Sequence, residues 1–249
     1  MERGVRSLVV AAAVVLSTAA CGSSEAAAPT PRLSQSTAPI RLPGATSNEA
    51  AGPAPIVDAG LDLRAGPVPV PLELRIPTLG MSAPVLGVGL TSKNVMDAPT
   101  GSASDAVWRK VFWYRGGGVP GDASTATIAG HVDDVLGRPA IFANLKDLRP
   151  GDKITLRDTR SGDETEFLVT TTAIYTLAQT LNPAVLAQIY GPGPVAGHGA
   201  RPSADGLSHL TLITCFGHWV TGAGTYDHRL AVYAVASFPR ITARDARNS

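Results

Sequence analysis

An all-β fold, an eight-stranded β-barrel with a few short helices behind a disordered Pro/Ala-rich tether, is what the sequence predicts. Three observations predict it. Eight short runs of β-type composition follow one another from Leu72 onward, helical patterns are few and brief, and no aromatic residue occurs before Trp108.

In chain order the runs are LELRI, PVLGV, VFWY, TATIAG, KITLRD, EFLVTTTAIY, HLTLITC and RLAVYAVA. Ile154 and Leu156 alternate with Lys153, Thr155 and Arg157, the period-two signature of a half-buried strand. Two stretches read as short helices. PAIFANLKDL, residues 139–148, opens on a proline suited to a first turn, and NPAVLAQIY, residues 182–190, offers Asn182 as cap and Pro183 at the first position. RPGD, residues 149–152, reads as a turn, and Gly191-Pro192-Gly193-Pro194 reads as irregular. Nothing divides the eight runs, and a hydrophobic content of 44% is enough for one core, so residues 72–238 form one domain, followed by a tail over 239–249.

Residues 22–71 carry nine of the chain's twenty prolines among Ala, Ser, Thr and Gly. Such a segment buries too little apolar surface to offset its ordering entropy, and a disordered linker is expected. Before it, Arg3 and Arg6 precede the apolar stretch Leu8 to Leu16, and Ala19 and Ala20 lead into Cys21. Residues 1–21 therefore read as an export signal, too short to span a bilayer comfortably. LSTAACGSS resembles a bacterial lipobox, with Thr18 where that pattern usually has Leu; lipidation of Cys21, or a retained signal anchor, would hold the chain at the outer face of the cytoplasmic membrane.

Basic and acidic residues nearly cancel, at 21 against 20, with no basic run, which argues against a nucleic-acid partner. With Cys21 lipidated or removed, Cys215 has no intramolecular partner in an oxidising compartment and becomes a candidate nucleophile. Alternation puts Leu210, Leu212 and Thr214 on one face of their strand and Thr211, Ile213 and Cys215 on the other, with Cys215 at its end. A thiol of reference pKa roughly 8.5 needs a base or a cation beside it. The histidines are His131, His198, His209, His218 and His228; spacing favours His131, which closes TATIAGH at another strand end, without eliminating the others. Arg229 opens the strand after the Cys215 loop, and a hairpin return would bring its guanidinium beside the thiol, where acyl chemistry needs positive charge. The ordinary alternatives are a buried structural cysteine and a solvated edge arginine.

TLITC, then Arg229 in HRLAVYA, with IAGH upstream, resembles the sortases over about residues 72–238. LRIPTLGMSAPVLGVGL, GGGVPG before ATIAGHVDD, and FANLKDLRPGDKITL are most similar to the class F sortases of actinobacteria. The resemblance implies a cysteine transpeptidase with His131, Cys215 and Arg229 as its catalytic residues. It implies sorting-signal peptides of LPxTG type as substrate, a peptidoglycan-precursor amine as acceptor, and no cofactor or metal. It also implies that residues 177–208 shape the motif pocket. A cysteine peptidase that only hydrolyses, or a catalytically silent cell-envelope lipoprotein, are the competing readings.

The lipobox reading has a direct check: mass spectrometry of the membrane fraction is expected to find a lipid-modified Cys21 as the N-terminus. An N-terminus at Met1, or at an unmodified residue beyond 20, contradicts it.

Overall fold

The period-two runs close on themselves in a computed structural model that describes residues 62–195 and 199–237. β1 (Val68–Ile76) buries Leu72, Leu74 and Ile76 and turns Glu73 and Arg75 outward. A 3₁₀ turn at Pro77–Leu79, ended by Gly80 at φ 58°, returns the chain into β2 (Met81–Val88). β3 (Val111–Tyr114), β4 (Thr125–Ala129), β5 (Lys153–Asp158), β6 (Glu164–Thr176), β7 (His209–Val220) and β8 (Thr225–Ala236) complete a closed barrel of order β1-β2-β3-β4-β7-β8-β6-β5. The eight-stranded barrel expected from the sequence is thus the fold.

Two of its pairings are parallel, β2 with β3 and β4 with β7. The second matters most, because it inserts β7 between β4 and β8, strands distant in sequence. Inside, Trp113, Ile128, Phe167, Leu212 and Val232 fill the barrel. The segment after β4 plugs one end with Phe142, Leu145 and Leu148, all fully buried.

That plug corrects the helix expected over residues 139–148. Only Leu145–Asp147 is helical, and it is 3₁₀. Phe142, Leu145 and Leu148 recur every third residue, the 3₁₀ period, and the bonds run three residues back: Leu145 N–H to Phe142 O and Leu148 N–H to Leu145 O. The second expected helix forms as α1 (Pro183–Tyr190), where Asn182 Oδ1 accepts from the Ala184 N–H at 2.8 Å. Pro192–Val195, expected to be irregular, makes the single-turn helix α2.

Strand structure and packing also include residues before the boundary at Leu72. β1 starts at Val68, the Leu90 N–H donates to Leu63 O at 2.7 Å, and the buried Arg115 donates from Nη2 to Ala65 O at 2.8 Å. Prolines did not prevent this because Pro69 and Pro71 sit where the β1–β2 pairing breaks register, a place that needs no ladder donor. The rest of the expected linker, the export signal and the tail over 239–249 lie outside the described residues.

A chain that begins at Leu72 is therefore expected to melt several degrees below one that begins at Asp62. It loses strand pairing and leaves the buried Arg115 without the Ala65 acceptor, a loss of roughly 1–3 kcal/mol. Equal melting temperatures by circular dichroism would contradict this packing.

Candidate active site

β7 keeps the alternation read from its sequence. Leu210 and Leu212 enter the core, while the Thr214 hydroxyl donates to Gly130 O at 2.8 Å and locks β7 to the end of β4. Cys215 falls on the outer face, half-buried. Beyond it a bulge interrupts the β7–β8 pairing between Phe216 and Trp219. Gly217 carries that bulge at φ 90°, and a Cβ there would lie 2.1 Å from Asp227 Oδ1, so both backbone and space require glycine.

Across the antiparallel ladder Cys215 pairs with Arg229, whose other neighbour is Tyr175 on β6. The guanidinium curls back along its own hairpin: Nη1 donates to Tyr226 O at 3.0 Å and His228 O at 2.8 Å, and Nη2 donates to Thr225 Oγ1 at 2.9 Å.

β4 ends at Ala129 in parallel register with Ile213, and the Gly130 N–H donates to Ile213 O at 3.1 Å. His131 follows β4 by two residues, as Cys215 follows Ile213 on the neighbouring strand. The imidazole is held by aromatic rings, Trp108 at 4.8 Å and Phe112 at 5.3 Å between centroids. Trp108 owes its place to a 3₁₀ turn capped by Asp105 and to an indole N–H donated to Ser102 O. His131 Nε2 stands 2.8 Å from Pro99 O. A carbonyl only accepts, so Nε2 carries a proton and Nδ1 of the neutral ring holds the lone pair.

The other histidines go elsewhere. His209 bonds Asp205 near the start of β7, six residues or roughly 20 Å from Cys215. His218 and His228 share Asp227 in the hairpin, and His198 lies outside the described residues. Of the four described histidines, His131 is the one that directly follows β4, the parallel neighbour of the strand that carries Cys215.

Burial pushes the Cys215 thiol up, and the Asp133 carboxylate nearby adds to this. The Arg229 guanidinium and the Thr225 hydroxyl oppose them without cancelling them. At neutral pH the group is a thiol, and attack requires that its proton leave. Asp133 accepts from the Tyr226 hydroxyl, and that bond, with burial, pushes Tyr226 up to about 12. Burial likewise pushes Tyr190, stacked edge-on against Tyr114, up to about 12. Both phenols are therefore neutral donors.

Cys215 opens on a pocket of about 220 Å³ lined also by Phe142, Thr214, Phe216, Tyr226 and Leu230. A larger cavity of about 760 Å³ borders Trp108 on the side of β2 and contains none of His131, Cys215 and Arg229. Asp133, Thr225, Tyr226 and the Pro99 carbonyl were not singled out in the sequence. Thr225 alone carried a signal: a hydroxyl four residues before Arg229 shares its face of the strand.

A sortase domain family model matches residues 74–237. Among solved structures the chain is similar to a lid mutant of sortase A from Corynebacterium diphtheriae, at 20% identity over 74% of this chain and 77% of that one, TM-score 0.47. It is similar also to sortase C-1 from Actinomyces oris, at 19% identity over 67% and 73% of the two chains, TM-score 0.44. A third is the sortase D5 transpeptidase from Clostridium perfringens, at 16% identity over 67% and 78%, TM-score 0.43. No curated protein sequence matches the chain.

Asp133→Asn removes a negative charge that opposes ionisation of Cys215. The pH profile of Cys215 alkylation by iodoacetamide is expected to move to lower pH, with faster modification at neutrality. A profile that stays in place, or moves to higher pH, contradicts the placement of that carboxylate.

Proposed function

The chain belongs to the sortase family, and we propose that it cleaves an LPxTG-like sorting motif through a thioacyl-enzyme on Cys215 and passes the acyl group to a cell-wall precursor amine. One observation carries this reading. The pairing of β4 with β7 up to Ala129 and Ile213, and of Cys215 with Arg229 on β8, supports a site built from His131, Cys215 and Arg229.

The chemistry follows from the state of each group. Cys215 starts as a thiol, and its proton passes to His131 Nδ1 as sulfur attacks the carbonyl of the threonine-like residue. Pro99 O accepts the Nε2 proton before and after this transfer, which favours the imidazolium formed. Arg229 supplies positive charge to the oxyanion or to the substrate backbone; for this, one Nη1 bond to Tyr226 O or His228 O is exchanged for the substrate. Collapse of the tetrahedral intermediate expels the amine, which takes the proton from His131. An incoming amine then attacks the thioester, gives its proton back to His131, and the thiolate leaves and is reprotonated. Water in place of the amine gives simple hydrolysis from the same geometry.

The flanking segments GGGVPG and FANLKDLRPGDKITL support the class F subtype. Attachment to the outer face of the membrane rests on the N-terminal residues, through lipidated Cys21 or a signal anchor. Among the described residues no helix is long and apolar enough to cross a membrane.

A library of fluorogenic sorting peptides, with and without an amine, tests the activity: cleavage with capture of the amine is expected, and cleavage without capture makes the protein a peptidase. Cys215→Ala is expected to abolish turnover. His131→Ala loses more than the roughly 10²–10⁴-fold of one acid–base group, because protonation of the leaving amine and activation of the thiol fail together. Arg229→Lys keeps the charge but not the planar fork, and a loss of about 10²-fold or more, mainly in kcat, is expected. Wild-type turnover of Arg229→Lys would leave Arg229 a structural strand residue.

A further inference from the structure

The two rings that hold His131 belong to a second apolar cluster, separate from the barrel core, in which Trp108 and Phe112 pack with Val88 and Val107. Residues 140–142 fix the main chain of this cluster to that of the histidine. The Ile141 N–H donates to Trp108 O at 3.0 Å, and the next residue, Phe142, donates its N–H to His131 O at 2.9 Å. Indole and imidazole meet with their planes 57° apart. The indole N–H is spent elsewhere, on Ser102 O at 2.7 Å. Ser102 ends a short span whose other end is Asp97. The Asp97 N–H donates to Gly89 O at 3.0 Å, and Ser102 O accepts a second bond, from the Asp105 N–H at 2.9 Å. Among the described residues, 98–101 make one hydrogen bond, from His131 Nε2 to Pro99 O at 2.8 Å. The place of that carbonyl is therefore set by the two ends of the span, and Trp108 holds one of them.

We infer that Trp108 is a positioning residue that packs against the His131 ring and, through Ser102, holds Pro99 O where it accepts the Nε2 proton, so that Nδ1 keeps the lone pair. The inference rests on the reading of His131 as the proton carrier and adds a residue to it. Trp108 acts through the imidazole, not on the reacting atoms. Its brace matters most when His131 takes up a proton, because the Nε2–H bond to Pro99 O then comes from a charged donor and is of the stronger kind. One side chain thus does two things that a bare ring could not: the face of the indole limits how the imidazole can turn, and its N–H fixes the acceptor that selects the tautomer.

Long-range proton–nitrogen NMR of the full chain, labelled with nitrogen-15 histidine in detergent micelles and in alkaline buffer where an imidazole is neutral, tests the brace without requiring any turnover. The missing signals of His131→Gln identify those of His131. In the wild type Nε2 is expected to carry the proton and to exchange it slowly with water. Trp108→Phe keeps a ring and loses the indole N–H; exchange of the Nε2 proton is expected to quicken about tenfold, and kcat on a sorting peptide to fall roughly tenfold with KM within about twofold, the scale of one bond to a charged group. Asp105 caps the turn that carries Trp108 through the Val107 N–H, so Asp105→Ala is expected to quicken exchange as well and Asp105→Asn to restore it. If Trp108→Phe melts early, this pair carries the same comparison. A wild-type ring protonated on Nδ1, exchange that no variant quickens, or faster exchange beside an unchanged kcat overturns the inference. Should exchange behave as expected while no sorting peptide is cleaved, the brace stands and the transpeptidase reading fails. Unmoved exchange with intact amine transfer sinks the brace alone.

Discussion

Everything at the site depends on the parallel pairing of β4 with β7. These strands are separated by two others and by α1, yet main-chain hydrogen bonds hold Thr125 opposite His209 and Ala129 opposite Ile213. Side chains alternate with a period of two, so a slip of one residue would turn His131 to the opposite face from Cys215. The core forbids that slip: Ile128 and Leu212 are both fully buried, and the Thr214 hydroxyl bonds Gly130 O at the strand end. Gly130 itself has no room for a side chain, since a Cβ would lie 2.5 Å from the Phe142 ring of the plug. Close packing of an apolar plug and a strand ladder thus sets the geometry of a polar site a few ångströms away.

Charge around the sulfur is balanced by construction. Burial and Asp133 keep the proton on the thiol; Arg229 and Thr225 pull the other way. A resting thiol is less open to oxidation than the thiolate. The His131 ring is gripped by Trp108 and Phe112, and its Nε2 is fixed on Pro99 O. Tyr226 and Tyr190, both pushed up to about 12, stay neutral near neutral pH.

Much of this was legible in the sequence wherever the signal is local and periodic. Alternation in HLTLITC located the outer face of Cys215, and Asn182-Pro183 announced the start of α1. Errors arose where tertiary context decides. Phe142, Leu145 and Leu148 were mistaken for part of an α-helix because spacings of three also occur on helices. The prolines around Val68 suggested disorder, but the break in the β1–β2 register accommodates them. Asp133 and the Pro99 carbonyl could not be found from sequence, because each touches the site through space, from a loop with no pattern of its own.

The central claim is that the acyl group passes through Cys215 beside His131 and Arg229. Rapid acid quenching of the enzyme with a cleavable sorting peptide and no amine, followed by intact-protein mass spectrometry, tests it most directly. The account predicts an adduct with the mass of the peptide through its threonine carbonyl, on the fragment containing Cys215, that disappears when an amine is added. Cleavage that proceeds with no adduct, or with the adduct on another residue, would contradict it.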